Sequence, residues 1–254
     1  MRQRLLNLIA GMVLASLLSG CASVGGQASP EDAETAQRYV EIGFRHIEFD
    51  NRQQARRAFR EAMSLDRDAS GAYLGMAMVY QGEGEPELAE DYYQRALSMS
   101  DATEYRHAYA QFLFRQGRLE ESDEMFRLVT GDPDYVNRGS AFEDLAVLNL
   151  YQGDREAAKV HFDRAIVLNR MLPMPYWHMA NLHLSDGNHE RALRYYEGFE
   201  SLVNAEVMDH TEDSLILGLR VTEAMAREES YSGLLEMLEE RFPDSRYLRS
   251  ENDE

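Results

Sequence analysis

A set of small and aromatic residues recurs along this chain at a spacing of about 34 residues. In the first copy, Ala55, Phe59 and Ala62 lie at the spacing of one helical face. The face recurs as Ala89, Tyr93 and Ala96; Ser122, Phe126 and Val129; Ala158, Phe162 and Ala165; Ala192, Tyr196 and Phe199; and, in weaker form, Ser230 and Leu234. An amphipathic stretch and a break precede each copy, which predicts two short helices joined by a tight turn. Such a pair cannot bury its apolar faces alone, so successive copies must stack.

This period and residue pattern is typical of the tetratricopeptide repeat, in which small residues let two helices touch beside an aromatic side chain. We therefore predict an all-α fold, a right-handed superhelical solenoid of about six repeats, with an ordinary helical bundle as the less favoured alternative. The predicted repeats lie near 36–69, 70–102, 103–136, 139–172, 173–206 and 211–242, and a polar tail follows over 243–254. Positive φ just past a helix end is predicted for Gly84, Gly117, Gly153 and Gly187.

Residues 1–20 have the pattern of a secretory signal peptide. Two arginines precede an apolar run over 5–18, which at about 14 residues is shorter than the roughly 20 that span a bilayer as a helix. The run ends in Leu18-Ser19-Gly20-Cys21, which resembles a bacterial lipobox. That resemblance implies cleavage before Cys21, which would become the lipidated first residue of the mature protein.

Cys21 is the only cysteine in the sequence, so an exported chain has no disulfide framework to build. The alternative is a free or buried thiol. Ala22 follows the cysteine, and by the sorting rule for Gram-negative lipoproteins this residue implies the periplasmic face of the outer membrane. The small residues of 21–35 predict a flexible tether with a span of roughly 20 Å.

The 254 residues include 45 acidic and 26 basic side chains, which gives a formal net charge of −19. This surplus disfavours a nucleic-acid partner, because a phosphate backbone needs a basic face. His178, His183 and His189 are five and six residues apart, so they do not share a face as an i, i+4 zinc pair would. We find no glycine loop for phosphates either, and we expect no enzyme, cofactor, metal or small-molecule substrate.

The first helices of a tetratricopeptide stack line its concave groove, and their outward positions select the ligand. In the first two repeats these predicted groove positions are Val40, Phe44, Ile47, Leu74, Met78 and Gln81. In the fourth and fifth repeats they are Glu143, Val147, Leu150, Trp177, Asn181 and Leu184. The early set is mostly apolar, which favours a groove for an amphipathic helix or an extended segment. The alternative is that Phe44, Leu74 and Met78 pack against the N-terminal tether or a helix from it.

Three stretches, 133–146, 157–173 and 214–220, resemble the type IV pilus biogenesis lipoproteins of the PilF and PilW family, the pilotins. The matching residues include Pro133, Tyr135, Arg138, Phe142, Leu145, Phe162, Leu168, Asn169, Arg170, Pro173, Leu217, Gly218 and Arg220. With the lipobox, tether and repeats, the resemblance covers essentially the whole chain. The departures from the family pattern are Ala110, Asp144 and Ala146.

The resemblance implies a monomeric outer-membrane adaptor that binds the pilus secretin and promotes its outer-membrane localisation and multimerisation. Two alternatives would have the same composition: a scaffold that docks peptidoglycan hydrolases, and a subunit of an outer-membrane protein assembly machine. Genomic neighbourhood or co-purification would discriminate them. A secretin or pilus ATPase would favour the adaptor, and a hydrolase would favour the scaffold.

Overall fold

The structure, a computed structural model, describes residues 28–251, and in this range every regular element is a helix. The chain divides into two compact units, one ending at Met99 and the other beginning at Ser100. In both units consecutive helices pack as pairs, so the predicted all-α tetratricopeptide fold is confirmed.

The first unit contains four described helices, namely α1 (Pro30–Glu48), α2 (Arg52–Leu65), α3 (Ser70–Glu83) and α4 (Pro86–Met99). Helix α1 packs against α2 and α3, α2 packs against α3, and α3 packs against α4. Phe59 of α2 is fully buried, beside Ala55 and Ala62. The small and aromatic residues of the sequence pattern are therefore the contacts that hold these helices together.

Helix α1 begins at Pro30, whereas the sequence predicted a flexible tether as far as residue 35, so that boundary was wrong. The side chain of Ser29 accepts a hydrogen bond from the backbone N–H of Asp32 at 3.1 Å and caps the helix. Pro30 at the first helical position already has the φ that a helix needs. The carboxylates of Glu31 and Asp32 in the first turn interact favourably with the positive end of the helix dipole. These residues extend the helix into a stretch that offers little apolar surface.

The second unit contains nine described helices, α5 (Thr103–Arg115), α6 (Leu119–Gly131), α7 (Arg138–Tyr151), α8 (Arg155–Leu168), α9 (Pro173–Ser185), α10 (His189–Asn204), α11 (Glu212–Ala224), α12 (Glu228–Arg241) and α13 (Arg246–Glu251). Each helix from α5 to α11 packs against the next one along the chain. The turns after α5, α7 and α9 contain Gly117, Gly153 and Gly187, all with φ between 73° and 82°. Gly84 of the first unit has φ 77°, so the predicted positive φ is present at all four glycines.

The end of the chain also departs from the sequence prediction. Residues 243–254 were expected to be a polar tail, but α13 forms within them. Tyr247 and Leu248 of α13 pack against a core cluster that includes Leu234 and Leu238 of α12. Two adjacent apolar residues among charged ones give no helical period, so the sequence pattern alone did not reveal this contact.

Candidate protein-binding grooves

The predicted groove positions on α1 differ in how far they are available to a partner. Val40 is only 4% exposed and belongs to the core of the first unit, so its assignment to a binding groove was wrong. Phe44 and Ile47 are partly buried against the same core. The ring of Phe44 meets that of Phe59 edge-on, with centroids 5.3 Å apart. Each of these two side chains therefore has one face in the core and some surface left for a partner.

On α3 the prediction also needs one correction. Leu74 is 7% exposed, so it too is a buried residue and not part of an open surface. Met78 is partly exposed. Gln81 accepts a hydrogen bond from the hydroxyl of Tyr93 on α4 at 3.0 Å. The groove positions that keep some exposure in the first unit, Phe44, Ile47, Met78 and Gln81, form the unit-1 groove surface.

Four of the groove positions predicted in the second unit define the unit-2 groove surface. They are Val147 and Leu150 on α7 and Trp177 and Asn181 on α9. Val147 and Leu150 pack partly against the cluster of Phe162 and Met179, Trp177 packs partly against the next cluster, and Asn181 is exposed. A cavity of about 440 Å³ opens at this surface. Its lining consists of Leu150, Gly153, Arg155, His178, Asn181, Leu182 and Ser185.

Burial shifts the pKa of two side chains near this surface, Glu143 and His178. Burial, and then the neighbouring Asp144, raise the pKa of the Glu143 carboxyl to about 7. Burial lowers the pKa of His178 to about 4, and its ring stacks on Phe162 with centroids 4.8 Å apart. His178 is thus a neutral packing residue at physiological pH. Glu143 thus places, one turn before Val147 on α7, a carboxyl group that a cationic partner would ionise.

A polar network on α5 and α7 was missed by the sequence analysis. His107 lies with Nε2 2.7 Å from Oδ2 of Asp144 and Nδ1 2.8 Å from the hydroxyl of Tyr135. The side-chain amide of Gln111 donates to the same Asp144 oxygen at 2.7 Å. His107 and Gln111 occupy, in the third repeat, the register positions of Val40 and Phe44 in the first. Extending the count to that repeat would have found them.

The predicted lipidation site, Cys21, and the predicted signal peptide lie outside the described residues. Among the described helices, none combines the length and apolar character that crossing a bilayer requires. Over the same range no three His, Cys, Asp or Glu side chains are grouped as metal ligands would be. His183 is buried and stacks on Tyr195, with ring centroids 5.4 Å apart.

Comparison with known proteins gives matches at the level of one repeat and of the whole chain. The tetratricopeptide repeat family matches residues 70–103, the part that contains α3 and α4. The type IV pilus assembly protein PilF of Pseudomonas aeruginosa is 28% identical over 239 residues, which are 92% of each chain.

Solved structures agree with these matches. A structure of PilF from Pseudomonas aeruginosa matches with a TM-score of 0.80 and 26% identity, covering 88% of this chain and 100% of that one. A crystal structure of PilW, described as a widely conserved type IV pilus biogenesis factor, matches with a TM-score of 0.72 over 85% of this chain and 97% of its own. At 22% identity the similarity to PilW shows the fold alone.

Proposed function

We propose, on the premise that this chain is a tetratricopeptide-repeat protein related to the type IV pilus assembly protein PilF, that it is an outer-membrane lipoprotein adaptor for the pilus secretin. The observation that carries the proposal is the match to PilF over 92% of both chains, which supports a role in type IV pilus biogenesis. In the proposed mechanism the acylated Cys21 holds the chain at the periplasmic face of the outer membrane. The chain then binds the secretin as a monomer and promotes its localisation and multimerisation.

The unit-1 groove surface is the proposed secretin contact. Phe44, Ile47 and Met78 are apolar and only partly buried, so a partner segment can cover what remains exposed. Large side chains that a partner buries commonly carry most of the binding free energy, on the order of 2 kcal/mol or more for one truncation. An amphipathic helix or an extended segment of the secretin has the shape to lie along such a surface.

The test is a double variant, Phe44→Gln with Met78→Gln. We expect secretin multimers to be lost from outer-membrane fractions and surface pili to disappear while the purified protein still folds, with a lower melting temperature because Phe44→Gln loses the contact with Phe59. Phe49 provides a matched control, because it lies just after α1, is 77% exposed and is outside the groove surface. Phe49→Gln should leave multimers and pili at wild-type levels.

Normal multimers in the folded double variant would remove the unit-1 groove surface from the mechanism. The same assay on Leu150→Gln with Trp177→Gln then tests the unit-2 groove surface. If both double variants fold and both support normal secretin multimers, the groove-mediated adaptor is wrong. Co-purification of a peptidoglycan hydrolase instead of a secretin would argue for a scaffold.

A further inference from the structure

A cavity on the second unit, separate from the proposed grooves, has a chemistry that the adaptor function does not use. It measures about 640 Å³ and lies among α8, α9 and α10. We call it the arginine-lined cavity, and the residues around it are Glu156, Lys159, Val160, Asp163, Tyr176, Met179, His183, Arg191, Arg194 and Tyr195. None of these residues belongs to the unit-2 groove surface.

The acidic side chains of the arginine-lined cavity already have partners inside the protein. The hydroxyl of Tyr195 donates a hydrogen bond to Oδ1 of Asp163 at 2.6 Å. Lys159 Nζ lies 2.6 Å from Oε1 of Glu156 and 2.6 Å from Oδ2 of Asp186. Lys159 is therefore also neutralised by its neighbours. The neutral hydroxyl of Tyr195 leaves the negative charge of Asp163 in place, but the remaining charged groups of the cavity are both cationic.

Those groups are Arg191 and Arg194, one turn apart on α10 and both exposed. Within residues 28–251 neither guanidinium forms an ion pair or a side-chain hydrogen bond. Tyr195 and His183 line the same cavity as these two arginines. Two unpaired guanidiniums beside one cavity are a local concentration of positive charge on a chain of net charge −19.

An apolar depression continues from this cavity along α8. It measures about 460 Å³ and shares Val160 and Asp163 with the arginine-lined cavity. Val160 and Val167 are 65% and 67% exposed, and Phe142 and Arg164 also line the depression. Arg164 has no ion pair within the described part of the chain either. Arg164 and the exposed valines therefore lie beside the arginine-lined cavity, together with the carboxylate of Asp163.

We propose that the arginine-lined cavity and the adjoining depression bind an acidic segment of a partner protein, with its carboxylates on Arg191 and Arg194 and an apolar side chain against Val160 and Val167. Guanidinium groups match carboxylates in geometry and charge, which selects an acidic partner over a basic one. The surface gives the chain a second binding site, whose occupant can differ from that of the grooves. The inference does not depend on the identity of the groove partner.

The experiment selects a random-peptide display library on the purified full chain, and in parallel on the double variant Arg191→Gln with Arg194→Gln. A matched control, Arg57→Gln with Arg67→Gln, removes the same charge from exposed arginines of the first unit. We expect wild type and control to enrich peptides with aspartate or glutamate beside an aliphatic or aromatic residue, and the cavity variant to lose them. A synthetic copy of the best peptide should bind the cavity variant on the order of tenfold more weakly, and should weaken similarly when its acids become amides.

Enrichment of the same acidic peptides on the cavity variant would overturn the proposal, and so would a set of peptides that the cavity variant loses but that contain no acidic residues. The variant changes two exposed side chains, so its thermal melt should coincide with that of the control. Secretin multimers should persist in the cavity variant, because both groove surfaces are intact. Loss of peptide binding here and loss of secretin assembly in the groove variants are therefore separate results.

Discussion

Glu143 on α7 shows how one buried carboxyl can couple stability to pH. Its pKa in the folded protein is about 7, above the ordinary value of 4.5, because burial and Asp144 both disfavour the charged form. Between about pH 4.5 and 7 the folded chain therefore binds more protons at this site than the unfolded chain does. Stability contributed by the protonated form is present at low pH and falls as the pH rises through that window.

Glu143→Gln should therefore stabilise the protein at pH 8 and have little effect at pH 4.5. The expected gain at pH 8 is on the order of 1–2 kcal/mol, after allowance for the part of the side chain that solvent screens. Urea unfolding of wild type and variant across this range measures it. Glu236→Gln, at an exposed position of α12, is the control for removing one carboxyl group. Parallel pH profiles for wild type and Glu143→Gln would contradict the burial argument.

Val40 and Leu74 lie, as predicted, on the first helices of two successive repeats. The sequence around them did not reveal that neighbouring helices cover both side chains. Both are buried, because burial depends on how closely neighbouring helices approach. Phe44 and Met78 lie one turn further along the same two helices and keep some exposure. Helical periodicity thus identifies a face, whereas packing decides which of its residues remain accessible.

At the scale of elements, two glycines determine how closely α1 and α3 approach α2. A Cβ added at Gly43 would lie 2.4 Å from the ring of Phe59, and one at Gly75 would lie 2.1 Å from the same ring. Phe59 is fully buried, so its ring has no free volume into which it could move. The aromatic side chain of the second helix is thus held between first helices of two successive repeats.

Gly75→Ala should lower the free energy of unfolding by about 1–3 kcal/mol, because overpacking outweighs the better helix propensity of alanine. Gly233→Ala is the matched control, since Gly233 also lies within a helix but an added Cβ meets nothing within 4 Å. There the same substitution should raise the free energy of unfolding by about 0.5–1 kcal/mol. Chemical denaturation of the two variants decides this, and effects of the same sign would contradict the packing argument.

The interior helices could be predicted from sequence because their small and aromatic residues contact one another directly. The start of the first helix and the whole of the last helix could not. Helix α1 depends at its start on the capping side chain of Ser29, and α13 depends on the contact of Tyr247 and Leu248 with α12. A capping residue and an isolated pair of apolar residues leave no repeating pattern in the sequence. The repeat pattern therefore does not reveal the ends of the fold.

At the scale of the whole molecule, a net charge of −19 conceals local differences that only the structure reveals. Some arginines are neutralised by a nearby carboxylate, as Arg155 is by Asp186 at 2.8 Å. Arg191 and Arg194 are not neutralised in this way within residues 28–251, and only the folded helices bring them beside one cavity. Composition argues against nucleic acid as a partner, but it gives no sign of a cationic surface for an acidic peptide.

The proposed attachment to the membrane depends on one residue outside the described part of the chain. If Cys21 carries the lipid, Cys21→Ser should abolish incorporation of a radiolabelled fatty acid and release the protein from outer-membrane fractions. The physical reason is that acyl chains supply the apolar area for anchoring, and none of the described helices is suited to cross a bilayer.

A second variant, Cys21→Ser with Ser23→Cys, keeps one thiol but moves it out of the Leu18-Ser19-Gly20-Cys21 sequence. It should also remain unlabelled, because the lipobox and not the presence of a thiol directs acylation. Label retained by Cys21→Ser would contradict the lipoprotein assignment, and label regained at Ser23→Cys would show acylation that does not depend on the lipobox.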